Sequence, residues 1–185
     1  FLKARALMET LAACEEAGRA EQASAAPQPP AETSAEAAGE GLRVLLVDHE
    51  DSFVNTLADY VRRHGAEVTT VRYGFAPELL DRLAPDLVVL SPGPGLPEDF
   101  GMNGLLDALA ARDLPVLGVC LGLQGMVEHA GGELRTLDEP VHGKPGRVHV
   151  AGGSLLGGLG EGGRFPAARY HSTYTFPDLV KGYEV

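Results

Sequence analysis

Cysteine is scarce in this chain: Cys14 and Cys120 are the only two among 185 residues. That is too few for a disulfide framework, and no metal-type spacing links the pair. Positive charge is scarce too, with 15 Lys and Arg against 26 Asp and Glu and a formal net charge of −11. A surface for nucleic acid or an anionic membrane needs clustered cations, so this balance argues against both. No apolar run approaches the roughly 20 residues of a membrane span, and the N-terminus lacks a signal-peptide layout. A cytoplasmic location, in a reducing compartment, is the expectation.

What is present is an ordinary globular composition, 44% hydrophobic and 22% charged, arranged in three zones. Residues 1–18, FLKARALMETLAACEEAG, place Leu7, Leu11 and Cys14 at helical spacing, with Gly18 where a helix would end. One amphipathic helix of this size cannot bury its apolar face alone, so it reads as the last helix of an upstream domain. Cys14, on that stripe, reads as a small buried hydrophobe. Residues 19–40 hold eight Ala, three Pro and four Glu, but no Leu, Ile, Val or aromatic residue. Burial there cannot offset the entropy of ordering, which predicts a flexible linker between folded units.

The texture changes at Arg43. The β-type runs RVLLVD (43–48), AEVTTVRY (66–73), DLVVL (86–90) and LPVLGVC (114–120) alternate with helical patterns at 52–65, 76–84, 104–113 and 123–132. Connections are short and the strands read as continuous apolar runs, which predicts an α/β fold with a parallel sheet covered on both faces. After Gly132, short Val, His and Tyr runs between glycines predict antiparallel strands or hairpins beside that sheet.

In an open parallel sheet, ligands bind outside the carboxyl ends of the strands. Cys120 falls at such an end, with a helix pattern immediately after it. Gly118-Val-Cys120-Leu-Gly122 is the cysteine version of a nucleophile elbow, a sharp strand-to-helix turn in which side chains at the glycine positions would clash. The helix N-terminus beside the sulfur should favour thiolate, and the Leu121 N–H should face a developing oxyanion. The loop SPGPG (91–95) follows the strand 86–90 at the same edge, and its glycines let a backbone amide approach a substrate. A cysteine alone fits a buried structural thiol as well as a nucleophile, and a Pro-Gly turn alone is simply a turn. Together, at adjoining strand ends, they favour the nucleophile.

These residues carry a resemblance. VLLVDHEDSFVNTLADY, VLSPGPGLPEDFG, LPVLGVCLGLQGMVEHAGGEL, HGKPGRV and RYHSTY are similar to the class I glutamine amidotransferases, specifically the glutaminase component of anthranilate synthase, over residues 42–176. Residues 1–18 resemble the C-terminal helix of the chorismate-using synthase component. The resemblance implies a fused synthase–linker–amidotransferase protein with a flavodoxin-like α/β domain over 41–185. It implies that Cys120 forms a glutamyl thioester, that Gly93 and Leu121 donate the oxyanion hole, and that Gly93, Pro94, Gly95, Gln124, Ser172 and Thr173 bind glutamine. The resemblance implies further that the domain itself takes no cofactor, that Mg2+ and chorismate belong to a synthase part, and that the ammonia released serves anthranilate formation in tryptophan biosynthesis. Alternatives are the amidotransferase part of an aminodeoxychorismate or phenazine-type chorismate aminase, or a non-catalytic binding module of the same fold.

One part of the family pattern is missing. The His and Glu of its H-x-E motif are absent, since none of the six histidines has Glu two residues later. The resemblance places that motif beyond Val185, so a truncated domain without a general base, and therefore with poor activity, is expected. The resemblance implies that His171 belongs to a glutamine-pocket segment rather than acting as the base. Gly158-x-Gly160-x-x-Gly163 matches a dinucleotide fingerprint by letter, but no strand precedes it and it reads as a glycine loop. HGK (142–144) lacks the upstream glycine and the Ser or Thr of a phosphate loop, and the resemblance implies a loop near the domain interface instead. Asp48 and Asp51 raise a phosphoacceptor receiver domain as a rival, yet the position of its acceptor aspartate reads Leu90-Ser91-Pro92. Asp51 and Ser52 fit better as helix caps.

Overall fold

The structure, a computed structural model, describes residues 38–150 and 163–182. The helix expected at 1–18, the linker to residue 37 and most of the glycine loop lie outside the described residues. Four parallel strands form the centre: β1 (Arg43–Asp48), β2 (Glu67–Arg72), β3 (Leu87–Leu90) and β4 (Val116–Gly118), in the order β2-β1-β3-β4. Helices α1 (Val54–Arg63), α2 (Glu78–Leu83) and α3 (Met102–Ala110) make the crossovers, and α4 (Leu121–His129) leaves β4. The chain moves outward from β1 to β2, then returns to the other side of β1 for β3. That reversal is the topological switch point of a flavodoxin-like sheet, and the crevice beyond the carboxyl ends of β1 and β3 is where such folds bind ligands.

Side-chain alternation in the sheet assigns its two faces. Val44, Leu46, Leu87 and Val89 pack with Val54, Ala58 and Val61 of α1. Leu45, Val47, Val88 and Leu90 pack with Leu80 of α2, with Met102, Leu106 and Leu109 of α3, and with Leu121. Each such Val or Leu, fully buried, contributes about 1.5–3 kcal/mol relative to exposure. The continuous apolar runs expected of the strands hold for β1 and β3, which are buried in the middle. They fail for β2, where EVTTVR occupies the sheet edge and Glu67, Thr69, Thr70 and Arg72 are exposed.

Helix α1 begins later than its pattern suggests. Asp51 Oδ1 accepts the Phe53 N–H at 2.7 Å, making a tight turn ahead of the helix, and no side chain caps the helix itself. Of the expected capping pair, Asp51 thus acts one step early and Ser52 makes no cap bond. Beyond α4, the antiparallel strands expected are present as two long ones, β5 (Arg135–His149) and β6 (Arg164–Tyr174). Register shifts between Thr136 and Val141 and between His142 and Lys144 absorb the residues that read as breaks. HGK is therefore part of a bulged strand rather than a loop, with Gly143 at φ 65°.

Candidate active site

Strand β4 ends at Gly118 and α4 begins at Leu121, so two residues make the whole turn. Cys120 lies at φ 52° and ψ −105°, a conformation that a side chain rarely adopts. The cause is visible at the flanking glycines. A Cβ on Gly118 would lie 2.6 Å from the Gly122 carbonyl carbon and 2.6 Å from the Leu123 nitrogen. One on Gly122 would lie 2.5 Å from both Leu90 Cβ and Leu90 O. The first turn of α4 thus sits directly on β4 and β3, as the elbow reading requires. Backbone bonds lock it there: Val119 N–H donates to Leu90 O at 3.0 Å, and Gln124 N–H to Cys120 O at 3.0 Å.

The Cys120 side chain is exposed. Its crowded surroundings push the thiol above its ordinary pKa, the Leu121 N–H pulls it back, and the Asp51 carboxylate pushes it further up. The helix-terminus effect expected from the sequence is therefore present but outweighed by desolvation. The net direction is opposite to the expectation.

The SPGPG loop approaches the elbow through Gly93. A Cβ there would fall 2.6 Å from Leu121 Cδ2, 2.7 Å from His49 O and 2.8 Å from His49 Cβ. The two residues expected to donate an oxyanion hole, Gly93 and Leu121, are thus in contact. Gly95 has φ 74°, and Asp99 Oδ2 accepts the Leu96 N–H at 2.8 Å to close the loop. Pro94 and Gly95 are exposed on its rim, while Gln124 is half-buried one helical turn beyond Cys120. Ser172 and Thr173 are half-buried on β6, with Thr173 opposite Thr136. Among the described residues, no hydrogen bond or ion pair joins either to Cys120, Gly93 or Gln124. The ribbon β5–β6 is tied down instead near the end of α4, where Thr175 Oγ1 donates to Glu133 O at 2.7 Å.

No histidine among the described residues hydrogen-bonds Cys120. His171 is committed on both sides of its ring, with Nδ1 donating to Thr173 O at 3.0 Å and Nε2 accepting from Arg169 Nε at 3.1 Å. His129 meets Asp107 at 2.9 Å, but it ends α4, about 12 Å of helix away from Leu121. Asp48 and Asp51 line an open cleft of about 590 Å³ beside the site, where Arg72 pairs with Asp48 at 3.5 Å and Glu50 at 3.2 Å. At the end of β3, where a receiver domain needs its acceptor carboxylate, buried Ser91 bonds to His49.

His49 is the residue that sequence reasoning passed over. It is 0% exposed, and burial lowers its pKa against the opposing pull of Ser91 and Asp48. A histidine two places after a run of four buried apolar residues, with Asp48 between, was the available signal.

The class I glutamine amidotransferase family model matches residues 45–185. The anthranilate synthase of Azospirillum brasilense is 58% identical over 161 residues, covering 87% of this chain and 21% of that protein. Anthranilate synthase component II of Haloarcula marismortui is 41% identical over 143 residues, covering 75% of this chain and 67% of the relative. The aminodeoxychorismate synthase of Streptomyces griseus is 43% identical over 136 residues, covering 71% of this chain and 18% of that protein. The chain therefore spans about a fifth of the two long relatives. Among solved structures, a Thermotoga maritima glutamine amidotransferase superposes with a TM-score of 0.53 at 17% identity, covering 72% of this chain and 61% of that one. That likeness shows the fold, and the family match together with the 41% identity across two-thirds of the Haloarcula protein places the chain itself: it belongs to the class I glutamine amidotransferases.

Proposed function

We propose that this domain is the glutaminase part of an anthranilate synthase, with Cys120 as its nucleophile. The observation that carries the reading is the strained, glycine-flanked Cys120 on a strand-to-helix turn, with Gly93 packed against Leu121. In this reading Cys120 Sγ attacks the side-chain amide carbon of glutamine, the C–N bond breaks, and the nitrogen leaves as ammonia after gaining a proton. Water then cleaves the thioester to glutamate and returns the thiol. The N–H groups of Gly93 and Leu121 hold the oxyanion of both tetrahedral intermediates. Pro94, Gly95, Gln124, Ser172 and Thr173 hold the amino-acid end of the substrate. The reading also requires a general base for Cys120, and no described histidine is hydrogen-bonded to it.

Two features favour a fused protein that passes ammonia to a chorismate-using, Mg2+-dependent synthase part. The Azospirillum relative is a far longer protein, and the 161 matched residues exceed what the 45–185 window holds, so the similarity continues upstream of the family domain. The 43% identity to an aminodeoxychorismate synthase supports a second reading, in which the same ammonia serves a different chorismate amination. The full-length protein, given glutamine, chorismate and Mg2+, decides between them by its product. Anthranilate supports the first reading and 4-amino-4-deoxychorismate the second, while no glutamate release would leave a binding module. Cys120→Ser should abolish glutamine use and spare free ammonia; glutamine use that survives the substitution would overturn Cys120 as nucleophile.

A further inference from the structure

Behind the Gly93 loop lies a buried polar pair that none of these steps uses. Among the described residues His49 Nε2 has no hydrogen-bond partner, and its ring packs against Tyr73, stacked at 6.4 Å, and Phe100, edge-on at 5.4 Å, which also touch each other at 4.7 Å. On the ring's other side, Nδ1 lies 3.2 Å from Ser91 Oγ, which also accepts the His49 backbone N–H at 2.9 Å. Ser91 has a single hydroxyl proton, and its Oγ is 2.7 Å from Pro92 O. A carbonyl oxygen only accepts, so the proton goes there. Ser91 Oγ then offers only lone pairs to His49. Bond counting therefore puts the ring proton on Nδ1 and leaves Nε2 as a bare acceptor among aromatic rings.

This chain of bonds ends at the reacting centre. The Pro92–Gly93 peptide is planar and trans, so its C=O and N–H point in opposite directions. Whatever holds Pro92 O also aims the Gly93 N–H. With Nδ1 unprotonated, the ring would compete for the one Ser91 proton and release Pro92 O. The loop also rests on His49 without an intervening layer, since a Cβ on Gly93 would meet His49 O and His49 Cβ within 2.8 Å.

We infer that His49, acting through Ser91, is a positioning residue that aims the Gly93 N–H at the oxyanion, an inference that rests on the glutaminase reading above. Its test uses two reactions of Cys120 in the full-length protein. Glutamine hydrolysis develops an oxyanion; alkylation by iodoacetamide is a displacement at saturated carbon and develops none at that position. His49→Leu should lower kcat for glutamine hydrolysis by about 10- to 100-fold, at or below the usual cost of losing one oxyanion donor, and leave KM and the alkylation rate near wild type. His49→Asn, which keeps an N–H donor close to the Nδ1 position, should recover most of kcat. Should His49→Leu fail to fold, Ser91→Ala carries the same expectation. Wild-type kcat in the Leu or Ala variant overturns the inference. So does an equal fall in kcat and alkylation, which would mark a merely structural role, or an Asn variant no better than Leu. A wild-type protein that releases no glutamate overturns the glutaminase reading instead, and this inference with it.

Discussion

Replacing Cys120 with glycine should stabilise the protein while removing its nucleophile. The residue sits at φ 52° and ψ −105°, and a non-glycine held in a sparsely populated region costs about 1–3 kcal/mol. Glycine has no Cβ to clash there, so that strain is released. Against it stands the greater freedom of glycine in the unfolded chain, about 0.5–1 kcal/mol. The sulfur is partly desolvated on an exposed residue, and the alanine control loses that contact equally. The net expectation is a gain of up to about 2.5 kcal/mol, the difference of these two effects. Cys120→Ala is the control, because it removes the sulfur but keeps the Cβ, and it should stay within about 0.5 kcal/mol of wild type. Urea unfolding reads both as shifts in midpoint at unchanged slope. A glycine variant no more stable than the alanine variant would refute the assignment of strain to this backbone position.

Glycines elsewhere should respond with opposite signs. Gly122→Ala forces a Cβ against Leu90 at 2.5 Å and should cost about 1–3 kcal/mol by overpacking, less up to about 1 kcal/mol regained in helix propensity. Gly104→Ala in α3 meets nothing within 4 Å and should stabilise by about 0.5–1 kcal/mol; the same urea titration reads both. Alkylation of Cys120 by iodoacetamide should reach half its limiting rate above the ordinary thiol pKa of about 8.5, and Asp51→Asn should move that midpoint down; a midpoint below the ordinary value would mean the helix terminus wins after all. Acid should act in two windows. His49 is depressed by burial, so its contribution is complete above about pH 6.5 and is lost as pH falls below that value. Asp81 and Asp86 are held low by their hydrogen bonds to Arg112 and Arg43, so theirs is present above about pH 4 and lost below it. Thermal unfolding from pH 3 to 8 should show His49→Asn flattening the upper window and Asp86→Asn the lower, and unchanged slopes would contradict the linkage.

The four strand–helix units were legible because apolar runs and closing glycines are local signals, and the elbow because its two glycines answer to contacts within a few residues or one strand away. Properties that depend on distant partners were not. His49 takes its meaning from Ser91, forty-two residues on. The raised pKa of Cys120 reflects crowding and Asp51, which comes from the end of another strand. The long ribbon was hidden for a different reason. Gly143 reads as a break between runs, whereas the structure carries it through a bulged ladder. The half-exposed β2 followed from strand order, which composition does not reveal.

The elbow joins two opposite pressures within five residues. Gly118 and Gly122 are demanded by packing against backbone, so any copy of this domain that must remain folded retains them, whether or not it performs chemistry. Cys120 is held against the preference of its own backbone. In a lineage released from catalysis, drift should erase the cysteine first and leave the glycines standing. The spelling of the turn is thus a record of folding, and only its central residue is a record of use.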